Sequence, residues 1–164
     1  MTGAEASSTR ELLARVGMGG AGEHRSDPLA DPAAFHELAT RLGAMVDVDY
    51  DVIVVRDLFG DRVLGYELAL AASKPLVVSA DQEGVVVLRG AGSLPRGCPA
   101  LLVADTHFSA GSIQATAMQV DNTGFTVAGL AMLVRTVDLD HPWPVWILEE
   151  KDDPGQDRPL DARN

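Results

Sequence analysis

The sequence predicts an α/β fold, a Rossmann-like central and mainly parallel sheet flanked by helices. Three observations predict it. Residues 52–55, 76–78 and 101–104 are apolar runs without polar alternation, as strands buried on both faces are. Helical patterns alternate with these runs, which is the signature of βαβ units. The length, 164 residues with 46% hydrophobic, suits one domain that buries most of its apolar surface. Aromatics contribute only 5%, so the core is expected to be aliphatic.

The elements follow in order. Residues 1–10 are small and polar and read as a disordered tail. A single domain is expected over residues 11–150. Residues 151–164, rich in Asp, Pro and Gly, read as a second, acidic tail. Residues 11–16 carry a short helical pattern. Residues 17–22 read Gly-Met-Gly-Gly-Ala-Gly and satisfy G-x-G-x-x-G. The dinucleotide fingerprint needs a strand before it and a helix after it. A helix-like segment precedes this one, so it is read as a loop. Asp31 before Pro32 is an N-cap and N1 pair. Phe35, Leu38, Leu42 and Met45 recur at helical spacing, placing an amphipathic helix over 32–46. A strand follows at 51–55, a helix at 63–72 and a strand at 76–78. The run at 84–88 reads as an antiparallel or edge strand. Residues 90–97 form a loop, 99–104 a buried strand and 111–121 a helix. Strands at 126–134 and 144–149 complete the sheet.

Composition narrows the function. Thirteen basic residues, two of them Lys, stand against 24 acidic ones, for a net charge of −11. Nucleic-acid affinity comes from neutralising phosphates with Lys and Arg, so neither nucleic acid nor an anionic membrane is an expected partner. The one cysteine, Cys98, excludes an internal disulfide and a thiolate metal cluster. It reads as a buried spectator, since no acid–base partner is visible. No apolar run approaches the roughly 20 residues of a membrane span, and residues 1–10 lack a signal core. The expectation is a cytoplasmic protein.

Ligands of such folds bind beyond the carboxyl ends of the strands, here the loops after Val55, Val78 and Ala104. The third is the richest. A buried strand ends in Asp105, and Thr106-His107-Phe108-Ser109-Ala110-Gly111-Ser112 leads into a helix. A helix amino terminus offers free N–H groups and partial positive charge. Ala110 and Gly111 admit an anion to the backbone, and Ser109 and Ser112 add hydroxyls, so the segment has the makings of a phosphate cradle. It is not a Walker loop, since no Gly-Lys-Ser/Thr follows. Ser109 acting only as a helix cap is the alternative.

Residues 101–112 resemble the phosphoribosyl-pyrophosphate motif of type I phosphoribosyltransferases: four apolar strand residues, two adjacent acids, two variable residues and a Thr/Gly-rich turn. The chain is similar to that family over roughly residues 11–136, and residues 11–50 resemble orotate phosphoribosyltransferases in particular. The resemblance implies that Ser109, Ala110, Gly111 and Ser112 hold a phosphate. Thr106 and His107 lie within the same phosphate- and ribose-binding stretch. Asp105 would face the ribose as the catalytic carboxylate. Arg56, Asp57 and Gly60 occupy the pyrophosphate-loop position. The implied ligands are phosphoribosyl pyrophosphate or a nucleoside monophosphate, with Mg²⁺ as the family uses it. A homodimer is also implied. No protein metal ligand is assigned.

The departures are equally specific. The first acid of the pair is Ala104, and the first glycine of the turn is Ala110. Where orotate enzymes carry a basic segment, this chain reads Ser79-Ala80-Asp81-Gln82-Glu83. A leaving pyrophosphate needs cations or a metal. The favoured reading is therefore a phosphoribosyltransferase-like protein with a degenerate site. It binds a phosphorylated ribose or nucleotide with altered or lost transferase activity, in a regulatory or accessory role. An active, orotate-like transferase and a dimeric interaction module are the alternatives. His107 has either a phosphate-pairing role or none. Arg56 either contacts an anion or belongs to a surface pairing, Arg56–Asp57 or Arg62–Asp61. The stretch His141-Pro142-Trp143-Pro144-Val145-Trp146 either stacks on a base or, as favoured here, packs a hood or a dimer face.

Overall fold

The computed structural model describes residues 7–19, 25–83, 85–106, 110–135 and 140–150. Two helices open the chain, and each is capped by its own sequence. In α1 (Thr9–Arg15), Ser8 Oγ accepts from the Glu11 N–H at 3.2 Å, and the Glu11 carboxylate accepts from the Ser8 N–H at 2.8 Å. This capping box starts the helix two residues before the expected domain boundary. In α2 (Pro32–Met45), Asp31 Oδ1 accepts from the Ala34 N–H at 2.9 Å. Leu12, Leu13 and Val16 bury against the apolar stripe Phe35, Leu38 and Leu42, each such side chain contributing roughly 1.5–3 kcal/mol on leaving water.

The remaining elements alternate. They are β1 (Val52–Arg56), α3 (Phe59–Ala72), β2 (Leu76–Gln82), β3 (Val85–Arg89), a 3₁₀ turn (Ala91–Ser93), β4 (Pro99–Thr106), α4 (Ala110–Thr123), β5 (Thr126–Arg135) and β6 (Val145–Glu150). They form one six-stranded sheet in the order β3-β2-β1-β4-β5-β6. Every neighbouring pair is parallel except β2 with β3, which is antiparallel. β3 is thus the antiparallel edge strand that its sequence implied. Val54 of β1 pairs with Val77 on one side and Leu102 on the other. These are the runs that lack polar alternation, and they are buried because helices cover both faces.

Strand alternation decides what each face sees. Ile53, Val55, Leu101 and Val103 pack towards Leu64 and Leu68 of α3. Val52, Val54, Ala100, Leu102 and Ala104 pack towards Ile113, Ala117 and Val120 of α4. Gly65 lets α3 lie directly on β1, since a Cβ there would overlap the Val55 side chain.

Three expected boundaries need correction. α3 begins at Phe59, four residues earlier than the periodicity indicated. Its cap residue Leu58 makes no side-chain capping bond, so no capping residue marks the start. β2 does not end at Val78 but runs to Gln82, with Ser79 opposite Leu88 and Asp81 opposite Val86. Ser79 to Gln82 therefore belong to a hairpin strand rather than to a loop. β4 likewise continues two residues past Ala104, to Thr106. Among the described residues, no helix is long and apolar enough to cross a membrane.

Candidate functional site

The carboxyl ends of β1 and β4 lie side by side at the centre of the sheet, and the polar residues of both strands meet there. Alternation along β4 turns Ala104 towards the α4 core and its neighbour Asp105 towards α3. Asp105 is 3% exposed. Its Oδ2 accepts from the Ser26 hydroxyl at 2.8 Å and from the Ser26 N–H at 3.3 Å. Its Oδ1 accepts from the Thr106 N–H at 2.6 Å. Gly60, buried in the first turn of α3, lies directly against this carboxylate: a Cβ there would overlap both Asp105 and Ser26.

Arg56 ends β1 and is 8% exposed. Its Nε and Nη2 donate to the two oxygens of Asp61 at 2.5 and 3.1 Å. Nη2 also donates to the Thr106 carbonyl at 2.7 Å, and Nη1 to Ser112 Oγ at 3.3 Å. Asp61 Oδ1 accepts in addition from the Asp105 N–H at 2.8 Å. The result is a buried cluster that ties the segment around Ser26, the start of α3, the ends of β1 and β4, and the first turn of α4.

The sequence alternatives for Arg56 are thereby resolved in an unexpected way. The ion pairs are crossed: Arg56 pairs with Asp61 inside, and Arg62 pairs with Asp57 at 3.2 Å on the surface. Of the predicted site residues, Arg56, Gly60, Asp105, Thr106 and Ser112 are brought together. Asp57 is not; it is exposed and joined to Arg62. His107 and Ser109 lie outside the described residues. Ala110 and Gly111 begin α4, and among the described residues no atom comes within 4 Å of a Cβ built at Gly111. Ser26 was not singled out by the sequence, and Asp61 was named only in a surface pairing with Arg62.

One guanidinium and two carboxylates share this buried space. Asp61 is fully buried, and burial pushes its carboxyl up from 3.8 to about 8, helped by Asp105 and opposed by Arg56. The raised value means that the folded state favours the protonated acid. The stability this group contributes is complete in acid, and it is lost as the pH rises through about 8. Denaturant unfolding should therefore show stability falling as the pH rises from about 4 to about 8. Asp61→Asn should flatten that part of the profile. An identical slope in Asp61→Asn would refute the assignment.

The carboxylates at the strand ends do not suit Mg²⁺. Among the described residues, Asp61 and Asp105 accept their hydrogen bonds from Arg56, Ser26 and the backbone N–H groups of Ser26, Asp105 and Thr106, and both side chains are closed off from solvent. Among the described residues, no group of three or more His, Cys, Asp or Glu side chains is placed to hold a metal ion.

Other candidates resolve simply. Cys98 is buried, and burial pushes its thiol up, which keeps it protonated and unreactive. Trp146 is buried against Gly129 and donates to Asp47 Oδ1 at 3.1 Å, a packing role. His141 and Trp143 stack in parallel with ring centroids 5.6 Å apart. The glycine-rich stretch at 17–22 follows α1, not a strand, and residues 20–22 lie outside the described residues.

No protein-family model matches the chain. Solved structures do. An adenine phosphoribosyltransferase from Thermoanaerobacter pseudethanolicus superposes with a TM-score of 0.71 at 16% identity, covering 88% of this chain and 100% of that one. An orotate phosphoribosyltransferase from Aeropyrum pernix gives 0.68 at 17% identity, with 87% and 92% covered. A hypothetical protein from Neisseria gonorrhoeae with bound ppGpp gives 0.56 at 18% identity, with 73% and 80% covered. The architecture is the type I phosphoribosyltransferase fold.

Proposed function

From this fold we propose that the chain binds the phosphate of a phosphorylated ribose or nucleotide at the amino end of α4, with altered or lost transferase activity. The observation that carries the reading is the asymmetry of the site. The phosphate-facing part is Gly111 and Ser112 in the first turn of α4, where among the described residues no atom comes within 4 Å of a Cβ built at Gly111 and the Arg56 cation donates to Ser112 Oγ. The ribose-facing part is closed. Ala104 replaces the first acid within the apolar core, and Asp105 is held by Ser26. For Asp105 to face a ribose as the catalytic carboxylate, it would have to leave Ser26 and Gly60. A helix amino terminus and a buried cation attract a phosphate without a metal. The neighbour with bound ppGpp supports including guanosine nucleotides among the ligands tried.

The transferase reading draws on the match to adenine and orotate enzymes over nearly the whole chain. Calorimetric titration with phosphoribosyl pyrophosphate, with and without Mg²⁺, beside nucleoside monophosphates and ppGpp separates the two. Monophosphate binding that is indifferent to Mg²⁺ is the expected result. Mg²⁺-dependent binding of phosphoribosyl pyrophosphate with release of pyrophosphate establishes the transferase instead. Binding of nothing overturns both and leaves the interaction module.

A homodimer belongs to the same reading. Phe59, Tyr66 and Leu70 are exposed large apolar residues, and spacings of seven and four place them on one side of α3. Sedimentation should give a dimer, and Tyr66→Glu with Leu70→Glu should return a monomer. A monomeric wild-type chain would remove this part of the proposal.

A further inference from the structure

We propose that Arg56 is a positioning residue that fixes the first turn of α4 and thereby sets the affinity of that turn for a phosphate. The inference rests on the phosphate-binding reading above, but it assigns Arg56 a role other than anion ligand. A guanidinium has five N–H groups in a rigid fork. Here the Nε donor goes to Asp61, the two Nη2 donors to Asp61 and the Thr106 carbonyl, and one Nη1 donor to Ser112 Oγ. Four of the five are spent on the protein. What Arg56 joins is informative. Thr106 is the last residue of β4, and Ser112 is the third residue of α4. They stand on either side of the strand-to-helix turn, and one side chain holds both. Asp61 fixes the guanidinium in turn, and the Asp105 N–H fixes Asp61. Free N–H groups bind an anion tightly only when their directions are set beforehand, because ordering them on binding costs affinity.

The test uses the full chain in two variants and their combination. Arg56→Lys keeps the charge and loses the fork. Ser112→Ala removes the contact to α4 and leaves the Arg56–Asp61 pair; since its hydroxyl also belongs to the phosphate turn, its amide exchange is the readout that bears on positioning if Arg56→Lys fails to fold. Amide hydrogen exchange at residues 111–113 and titration with ribose 5-phosphate are read on each. Each single variant should speed exchange at these amides at least tenfold and weaken binding at least tenfold. The double variant should be no worse than the stronger single one, because both break one connection. Unchanged exchange and affinity in the folded variants would overturn the positioning role, and so would additive losses. If the wild-type chain binds no ribose 5-phosphate, the phosphate reading falls, and the affinity half of this proposal falls with it. Unchanged exchange beside intact wild-type binding overturns the positioning half alone.

Discussion

Arg56→Met should lower the free energy of unfolding at neutral pH by about 3–5 kcal/mol, the cost of leaving the Asp105 carboxylate, the Asp61 carboxyl and the Thr106 carbonyl buried without their guanidinium partner. Met fills much of the volume of the arginine stem, so the loss is mainly electrostatic. Asp61 loses both of its guanidinium bonds, and Asp105 loses the cation 3.9 Å away. The Thr106 carbonyl loses a buried donor at 2.7 Å. Equilibrium urea unfolding measures the effect, and Asp61→Asn in the same background isolates its origin. The double variant should lose clearly less than the sum of the singles, since the hydrogen bonds between Arg56 and residue 61 can be lost only once. A loss within about 0.5 kcal/mol, typical of a surface change, would mean that Arg56 is not held as described.

Gly60→Ala should cost about 2–4 kcal/mol, or roughly 5–15 °C in Tm, for a different reason. Alanine is otherwise the better helix former by about 1 kcal/mol, so propensity alone predicts stabilisation. The added methyl would overlap the Asp105 carboxylate and the Ser26 hydroxyl. Neither can swing away cheaply, because they are bonded to each other and Asp105 also accepts from the Thr106 N–H. Thermal melting decides between the two signs. An unchanged or raised Tm would show that α3 does not start against Asp105.

The sheet was legible because its strands are pure runs. Val52 to Val55 and Leu101 to Ala104 have no polar positions, which only burial on both faces explains, and Asp31 announced α2 through its side chain. The hidden features lack such local signals. α3 starts behind Leu58, which caps nothing. β2 continues through Asp81 and Gln82, whose polarity is tolerated because both are exposed beside an edge strand. At the site, the motif spans the end of β4 and the start of α4, yet its chemistry was not readable from spacing. Arg56, Asp57, Asp61 and Arg62 permit several pairings, and only the turn into α3 selects the crossed one. Ser26 lies 79 residues from Asp105, and nothing in either neighbourhood couples them. Alternation does place Asp105 on the opposite face of the sheet from Ala104, so its inward turn follows from β4 extending to Thr106.

The central claim is that a phosphate sits at the amino end of α4. It is tested most directly by following the assigned backbone amide resonances while ribose 5-phosphate is added. The account predicts that Gly111 and Ser112 shift first and furthest and saturate together, with β3 and β6 unmoved. Shifts concentrated elsewhere, or none at saturating ligand, would contradict it.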